Sequence, residues 1–214
     1  RPQHPSIGTP RPFRTGEWHV SRSPSDHTDV GTIQLAQTSD VDGAVAAART
    51  GWRAWRQTHV KTRADALIVA AERMRTRRAA FAAIVALEAG KAREEALADV
   101  DEAIDFLRFY ALEALRREDE IANVEAAKMP KLRPRGVIAV VAPWNFPLAI
   151  PCGMTAAALA AGNAVVLKSA EQTPLVAEAL VDLLHEAGVP TDALIHLPGD
   201  GLEVGAPLTS HDQI

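Results

Sequence analysis

The residues with most chemical content in this 214-residue chain lie in three short runs and one isolated thiol. The first run is Pro143-Trp144-Asn145-Phe146-Pro147, which follows a string of five apolar residues. Each proline fixes its own φ and biases the residue before it away from helix, so two prolines four apart hold a short, stiff turn. Asn145 is the uncharged two-donor side chain in that turn. It either steadies negative charge on a ligand or is incidental to a rigid bend. The second run is KSAEQTP at 168–174. Lys168 and Glu171 offer a donor and an acceptor three residues apart, which can clamp a ribose at the end of a dinucleotide-binding strand. Glu171 or Thr173 equally suits the cap of a following helix. The third run places Gly199, Gly201 and Gly205 as GxGxxxG. Such glycines let backbone approach a phosphate at a helix N-terminus. Turn chemistry accounts for Pro198-Gly199-Asp200-Gly201 as well, and the spacing is not GxGxxG. Cys152 as a nucleophile needs an electropositive, partly exposed setting, and its Ala-rich surroundings fit a small core residue instead. His185 and His196 have no evident acid or nucleophile partner in sequence, and triads are recognised by geometry.

Placing these groups takes strands alternating with helices. Residues 137–141 are a β-branched run that reads as a strand buried on both faces. Residues 148–161 read as helix, 164–168 as strand, and 174–187 as a helix stopped by Gly188 and Pro190. Residues 194–197 read as a third strand, followed by a short helix through Leu208. That order spells an α/β fold with half of a doubly wound parallel sheet and right-handed crossovers. Asp212-Gln213-Ile214 reads as the opening of a fourth strand.

Four segments result. Residues 1–16, with four prolines, are a lead-in or linker. Residues 17–120 are a largely helical part. They hold short strands at 17–21 and 30–36, a helix capped by Ser39 or Asp40 and running to Trp55, a long helix over 62–87 and another over 92–114. Arg73, Arg75, Arg77 and Arg78 read as a solvated helix face. Residues 121–135 turn extended and polar, and 136–214 form the partial sheet core.

Composition closes off several classes. The net charge is -4 and the basic residues are spread out, so no nucleic-acid footprint is expected. No run of eighteen apolar residues and no charged-then-apolar leader occurs, which argues against a membrane span and a secretory signal. One cysteine excludes a disulfide framework and fits a cytoplasmic compartment. Seven scattered histidines make no pair at metal-ligand spacing, so no metal is expected.

Taken in order, EAGK at 88–91, PWNFP at 143–147, KSAEQTP at 168–174 and PGDGxxxGA at 198–206 resemble the aldehyde dehydrogenase superfamily. The resemblance runs from about Gly16 to Ile214. Its finer match is to the L-glutamate γ-semialdehyde (Δ1-pyrroline-5-carboxylate) dehydrogenases, including that module of the bifunctional proline-utilisation flavoprotein. It is carried by 88–111, AEQTP, LLHEAGVP and LPGDG. The resemblance implies a truncated aldehyde dehydrogenase fold and a small-molecule aldehyde substrate. A cysteine thiolate attacks the aldehyde, an asparagine amide and a backbone N–H hold the oxyanion, hydride passes to NAD, and a glutamate-activated water releases the acid.

By the same resemblance, Asn145 takes the oxyanion role. Ala142, Pro143, Trp144 and Asn145 also contact the cofactor, as do Lys168 and Glu171 at the adenine ribose, with Ser169 and Ala170 between them. Gly201 and Gly205 lie near the adenosine, and Glu102 near the aldehyde. Glu171 favours NAD, because it would repel a 2′-phosphate. The segment 121–135 resembles part of the arm by which family members pair, which implies a homo-oligomer. Two departures stand out. Ser169 replaces the usual proline. In the family, the catalytic cysteine and base glutamate also lie beyond the position of Ile214, and Cys152 does not match the nucleophile. A fragment of a longer enzyme, inactive alone, is therefore expected. The alternative is a truncated, non-catalytic docking domain of the same fold. An acylating or phosphate-dependent reductase is a third reading, and the intact PWNFP argues against it.

Overall fold

A parallel three-stranded sheet sits between one helix and a helical layer. The computed structural model describes residues 11–126 and 133–214, the side chains of 119–126 excepted. The strands are β3 (Val137–Val141), β4 (Ala164–Lys168) and β5 (Leu194–His196), in that spatial order. Before them come an antiparallel hairpin, β1 (Trp18–Arg22) and β2 (Asp29–Gln34), and four helices. These are α1 (Thr38–Trp55), α2 (Val60–Thr76), α3 (Arg78–Ala89) and α4 (Arg93–Ala126). Between and after the parallel strands run α5 (Ala149–Ala160), α6 (Pro174–Glu186) and a short α7 (Ala206–Thr209). The α/β architecture expected from the alternation is the one observed.

Side-chain alternation divides the sheet. Ala164, Val166, Ile195 and Leu197 pack with Val41 and its neighbours on α1. Val140, Val165, Leu167 and Leu194 face α5 and α6. Both crossover helices thus cover one face, as right-handed crossovers stepping in one direction require. Gly51 lets α1 come this close: a Cβ there would overlap the backbone of Asp192. On the far side α2, α4 and α5 pack around Leu67, Met74, Leu107 and Leu159.

Several boundaries differ from the sequence reading. The helix expected over 62–87 is two helices, broken at Arg77 (φ -102°, ψ 17°). No Gly or Pro marks the break. The Thr76 hydroxyl donates to the Arg73 carbonyl at 2.8 Å, a local bond that competes with the helical ladder. The last helix before the sheet runs to Ala126, past the expected end at 114, with Arg116 and Arg117 paired to Glu113. The first part of the expected extended segment 121–135 is therefore helical, and 127–132 lie outside the described residues. The first helix is capped at Gln37, not Ser39 or Asp40. Asp40 instead accepts the Gln37 N–H at 2.9 Å from the third helical position.

Residues 212–214 form a turn, not a strand, with the Ile214 N–H on the His211 carbonyl at 3.0 Å. Residues 1–10 lie outside the described residues. The remainder of the expected loose lead-in is tied down, because Arg11 and Arg14 reach Glu178 on α6 at 2.7 and 2.6 Å. The four arginines read as a solvated face pair with carboxylates: Arg73 and Arg77 with Glu186, Arg75 with Glu72, and Arg78 with Asp101.

The helical layer is locked to α6 by one buried side chain. The Glu88 carboxylate accepts the N–H groups of Leu175 and Val176, each at 2.9 Å, and the Ser21 hydroxyl at 2.8 Å. Burial pushes the Glu88 pKa up to about 7, against the pull of these donors. A carboxyl whose folded pKa lies above its unfolded value adds most stability below the unfolded pKa and loses it as pH rises through the folded one. Glu88→Gln should therefore gain stability relative to the wild type between pH 5 and pH 8. Parallel thermal-unfolding profiles for the two proteins across that range would refute this.

Candidate functional site

The parallel register brings the chemical residues to one edge. Val141 pairs with Lys168, and Leu167 with His196, so the three turns after the strands open on the same side. The Ala142 N–H donates to the Lys168 carbonyl at 3.0 Å, joining the first two turns. Within the first, Trp144, Asn145 and Phe146 are exposed, while Pro147 and Leu148 are buried and anchor it. Asn145 does not serve as core packing.

A chain of charges holds this turn from the helical layer. The Lys91 ammonium lies 3.9 Å from the Phe146 ring centre and 2.9 Å from the Asp99 carboxylate. Asp99, buried on α4, accepts the Ala149 N–H at 2.7 Å, where α5 begins. Glu102 is exposed on the same helix, one turn beyond Asp99.

The second turn separates its polar groups by face. Strand alternation sends Lys168 toward the α1 side, where its side chain is buried and runs past Gly205. A Cβ on Gly205 would meet Lys168 Cε at 3.9 Å and nothing closer. The Lys168 Nζ reaches the half-exposed Glu171 carboxylate at 3.2 Å. Burial pushes the Glu171 carboxyl up, but backbone hydrogen bonding and the Lys168 ammonium outweigh it and hold it below the usual range. Thr173 gives α6 no side-chain cap. Glu88 does that work, which frees Glu171 from the capping role the sequence left open. Glu171 and Trp144 share a cleft of about 620 Å³ with Gln172 and Thr173, closed across by His19 and Arg22 of the hairpin.

Ser169 and Ala170 are buried, and the Ser169 hydroxyl is spent on His196 at 2.9 Å. Its side chain is thus an internal anchor. The third turn also differs from expectation. Gly201 to Gly205 form a wide turn, with the Gly205 N–H on the Asp200 carbonyl at 3.2 Å. Asp200 caps it, accepting the Leu202 and Glu203 N–H groups at 2.6 and 3.3 Å. These backbone bonds hold its carboxyl below the usual range. The donors expected to face a phosphate are occupied by the chain's own carboxylate. A Cβ on Gly201 would meet nothing within 4 Å, and one on Gly205 only the Lys168 side chain.

Cys152 is fully buried, with Sγ 3.5 Å from the Ala103 carbonyl. Burial and the nearby Asp99 charge push its thiol far up, so it is inert. His196, for which the sequence shows no evident partner, has Ser169 at 2.9 Å and Glu178 at 2.6 Å, with the Arg14 guanidinium 3.3 Å from its Nδ1. Glu178 lies on α6, eighteen residues from His196, at a separation that no sequence motif joins. Among the described residues no group of three or more His, Cys, Asp or Glu could hold a metal. Nor is any helix there long and apolar enough to cross a membrane.

Residues 14–214 match the description of the aldehyde dehydrogenase family. The chain belongs to that family. It is 42% identical over 197 residues to the 1-pyrroline-5-carboxylate dehydrogenase of Anoxybacillus flavithermus, covering 90% of this chain and 38% of that protein. The structure superposes on a Thermus 1-pyrroline-5-carboxylate dehydrogenase with bound NAD at TM-score 0.85 and 37% identity. That match covers 94% of this chain and 40% of the other. Proline utilization A from Bdellovibrio bacteriovorus gives TM-score 0.82 at 38% identity, over 94% of this chain and 21% of the other. The chain thus spans about two-fifths of the curated dehydrogenases it matches.

The Asp99 contact makes this aldehyde dehydrogenase turn depend on one carboxylate. Asp99→Ala strands a mostly buried ammonium and an α5 N–H, and should cost about 3 kcal/mol. Urea unfolding that finds less than about 1 kcal/mol would show that the pair is dispensable.

Proposed function

We propose that the chain forms the cofactor-holding part of an NAD-dependent dehydrogenase that oxidises L-glutamate γ-semialdehyde to glutamate. The observation that carries this is the Lys168–Glu171 pair. It stands at the carboxyl end of β4, 3.2 Å apart, one strand over from the exposed Asn145 turn. A buried ammonium beside a carboxylate offers a donor and an acceptor to two vicinal hydroxyls. The open face of Gly205 leaves room beside the lysine for the sugar. NAD, when bound, supplies the hydride acceptor. Names of relatives and the NAD-bound Thermus neighbour support this choice of substrate and cofactor.

In the reaction the residues of this chain divide the work. Lys168 and Glu171 bind and orient the ribose. The Trp144 ring and the 142–144 backbone line the approach. Asn145 donates its amide N–H to the negative oxygen that develops on the aldehyde carbon. A neutral amide does so without holding an attacking thiolate in an ion pair. The one cysteine in this sequence is buried. That observation favours a second reading, a non-catalytic docking domain of the same fold. Pairing of two copies through the region near 121–135 belongs to the first reading.

Incubation of the protein, as its gene encodes it, with NAD and pyrroline-5-carboxylate should form NADH. Turnover of a different aldehyde alone would move the assignment to another branch. NAD binding without turnover of any aldehyde would favour the docking domain. In an active protein, Asn145→Ala should lower kcat by about 100- to 1000-fold with little change in the Kd for NAD. Glu171→Gln should narrow the preference for NAD over NADP, because it removes a charge facing the 2′ position. Equal rates with both cofactors in the wild type would refute that role for Glu171.

A further inference from the structure

We propose that Ser169 and His196 are positioning residues that hold the cofactor-binding turn in register through a buried hydrogen-bonded chain. The inference rests on the proposed NAD site. The turn between β4 and α6 reads Ser169-Ala170-Glu171-Gln172-Thr173, with neither glycine nor proline to set its backbone. The buried Lys168 and the exposed Gln172 bond the Glu171 carboxylate, while backbone bonds hold the carbonyls of Lys168 and Ala170 at 3.0 and 3.2 Å. Ser169 adds the side-chain tie between this turn and β5. Its hydroxyl lies 2.9 Å from His196 Nε2. His196 Nδ1 lies 2.6 Å from Glu178, which Arg14 grips at 2.6 and 3.1 Å and Arg11 at 2.7 Å.

The direction of the chain follows from its chemistry. Two groups face Nδ1: the Glu178 carboxylate at 2.6 Å, which only accepts, and the Arg14 guanidinium at 3.3 Å, which bonds that carboxylate at 2.6 Å; the shorter contact gives Nδ1 the proton. Nε2 of the neutral ring then accepts from the Ser169 O–H. Serine, histidine and glutamate stand in the order of a hydrolase triad. Ser169 is 2% exposed and His196 3%, however, so no substrate carbonyl reaches the hydroxyl. The arrangement holds the backbone in place and does not attack.

The consequence is felt one residue to either side. Alternation sends Lys168 to the α1 face and Ser169 to the α6 face, so anchoring the second aims the first. Glu171 follows two residues on, where a small rotation at position 169 displaces its carboxylate by ångströms. Displacements of about 1 Å at a positioning group can cost up to about 100-fold. A proline at 169, which the family resemblance expects there, would set φ covalently. Here a hydrogen bond to a buried histidine performs the same restraint.

The test uses the full protein and measures NAD by titration calorimetry and steady-state kinetics. Ser169→Ala should raise the Kd and KM for NAD about five-fold, with kcat changed less than two-fold. Ser169→Pro, which restores the restraint without the hydroxyl, should return the Kd to within two-fold of the wild type. Glu171→Gln serves as the control for the site itself. If it weakens NAD binding while Ser169→Ala leaves the Kd within two-fold of the wild type, the positioning role is overturned and the site stands. Equal weakening by the alanine and proline variants, or a loss of thermal stability with the Kd intact, overturns it too. If Glu171→Gln leaves NAD binding untouched, the site assignment falls and this inference falls with it.

Discussion

Two buried carboxylates in the helical layer decide where the sheet's helices begin. Glu88 takes the first N–H groups of α6, and Asp99 takes that of α5. The free N–H groups at a helix start must find acceptors, and a buried start without them is costly. By supplying acceptors from outside, the layer fixes the first residue of each helix, and so the length and shape of the turn before it. The EAGK run serves both ends. Glu88 reaches α6, Lys91 secures Asp99 beneath α5, and Gly90 between them adopts the left-handed φ of +67° that ends α3. A motif that reads as a family signature is, in physical terms, a double clamp on the turns that carry Asn145 and Glu171.

That clamp explains the division of labour along the edge. A residue that caps its own helix points back into the fold. Since Glu88 caps α6 from another element, Glu171 can turn outward to Lys168 and the cleft. Since Asp99 caps α5, Asn145, the residue of capping type in the turn 143–147, stays exposed. Strand alternation does the rest: Lys168 emerges on one face of β4 and Ser169 on the other. Lys168, which reaches Glu171, and Ser169, which anchors the backbone, are thus neighbours in sequence with opposite duties.

What the sequence disclosed follows the same physics. The three parallel strands were legible because each is a short, mainly apolar run between turn residues; β4 and β5 are buried throughout, whereas β3 is partly open, with Val141 exposed, and showed itself by its β-branched residues. The stiff turn at 143–147 was legible because proline acts locally. The break at Arg77 was not, because it is made by a side chain bonding its own backbone and by packing against α4 and α6. The full length of α4 was hidden by its charge: past 114 the apolar spacing gives way to charged residues, and the pairs of Glu113 with Arg116 and Arg117 accompany the helix onward. The role of Glu88 and the partners of His196 depend on residues 87 and 18 positions away, and periodicity carries no information at that range.

Asp200 sets a limit on how a dinucleotide can be held. A glycine-rich turn leading into a helix invites the expectation of a phosphate at the N–H groups. Here those donors already point at a carboxylate that they keep ionised. A phosphate brought to the same donors would meet a like charge at contact distance and would have to displace a carboxylate already bonded to them. On the proposed reading, recognition therefore falls on the ribose end, where the Lys168 ammonium is the buried positive charge, and on the flat ring and backbone of the Trp144 turn. The glycines contribute space and not donors. Gly205 keeps the flank of Lys168 clear: a Cβ there would just touch Lys168 Cε at 3.9 Å, and a longer side chain would extend into the space beside the ammonium.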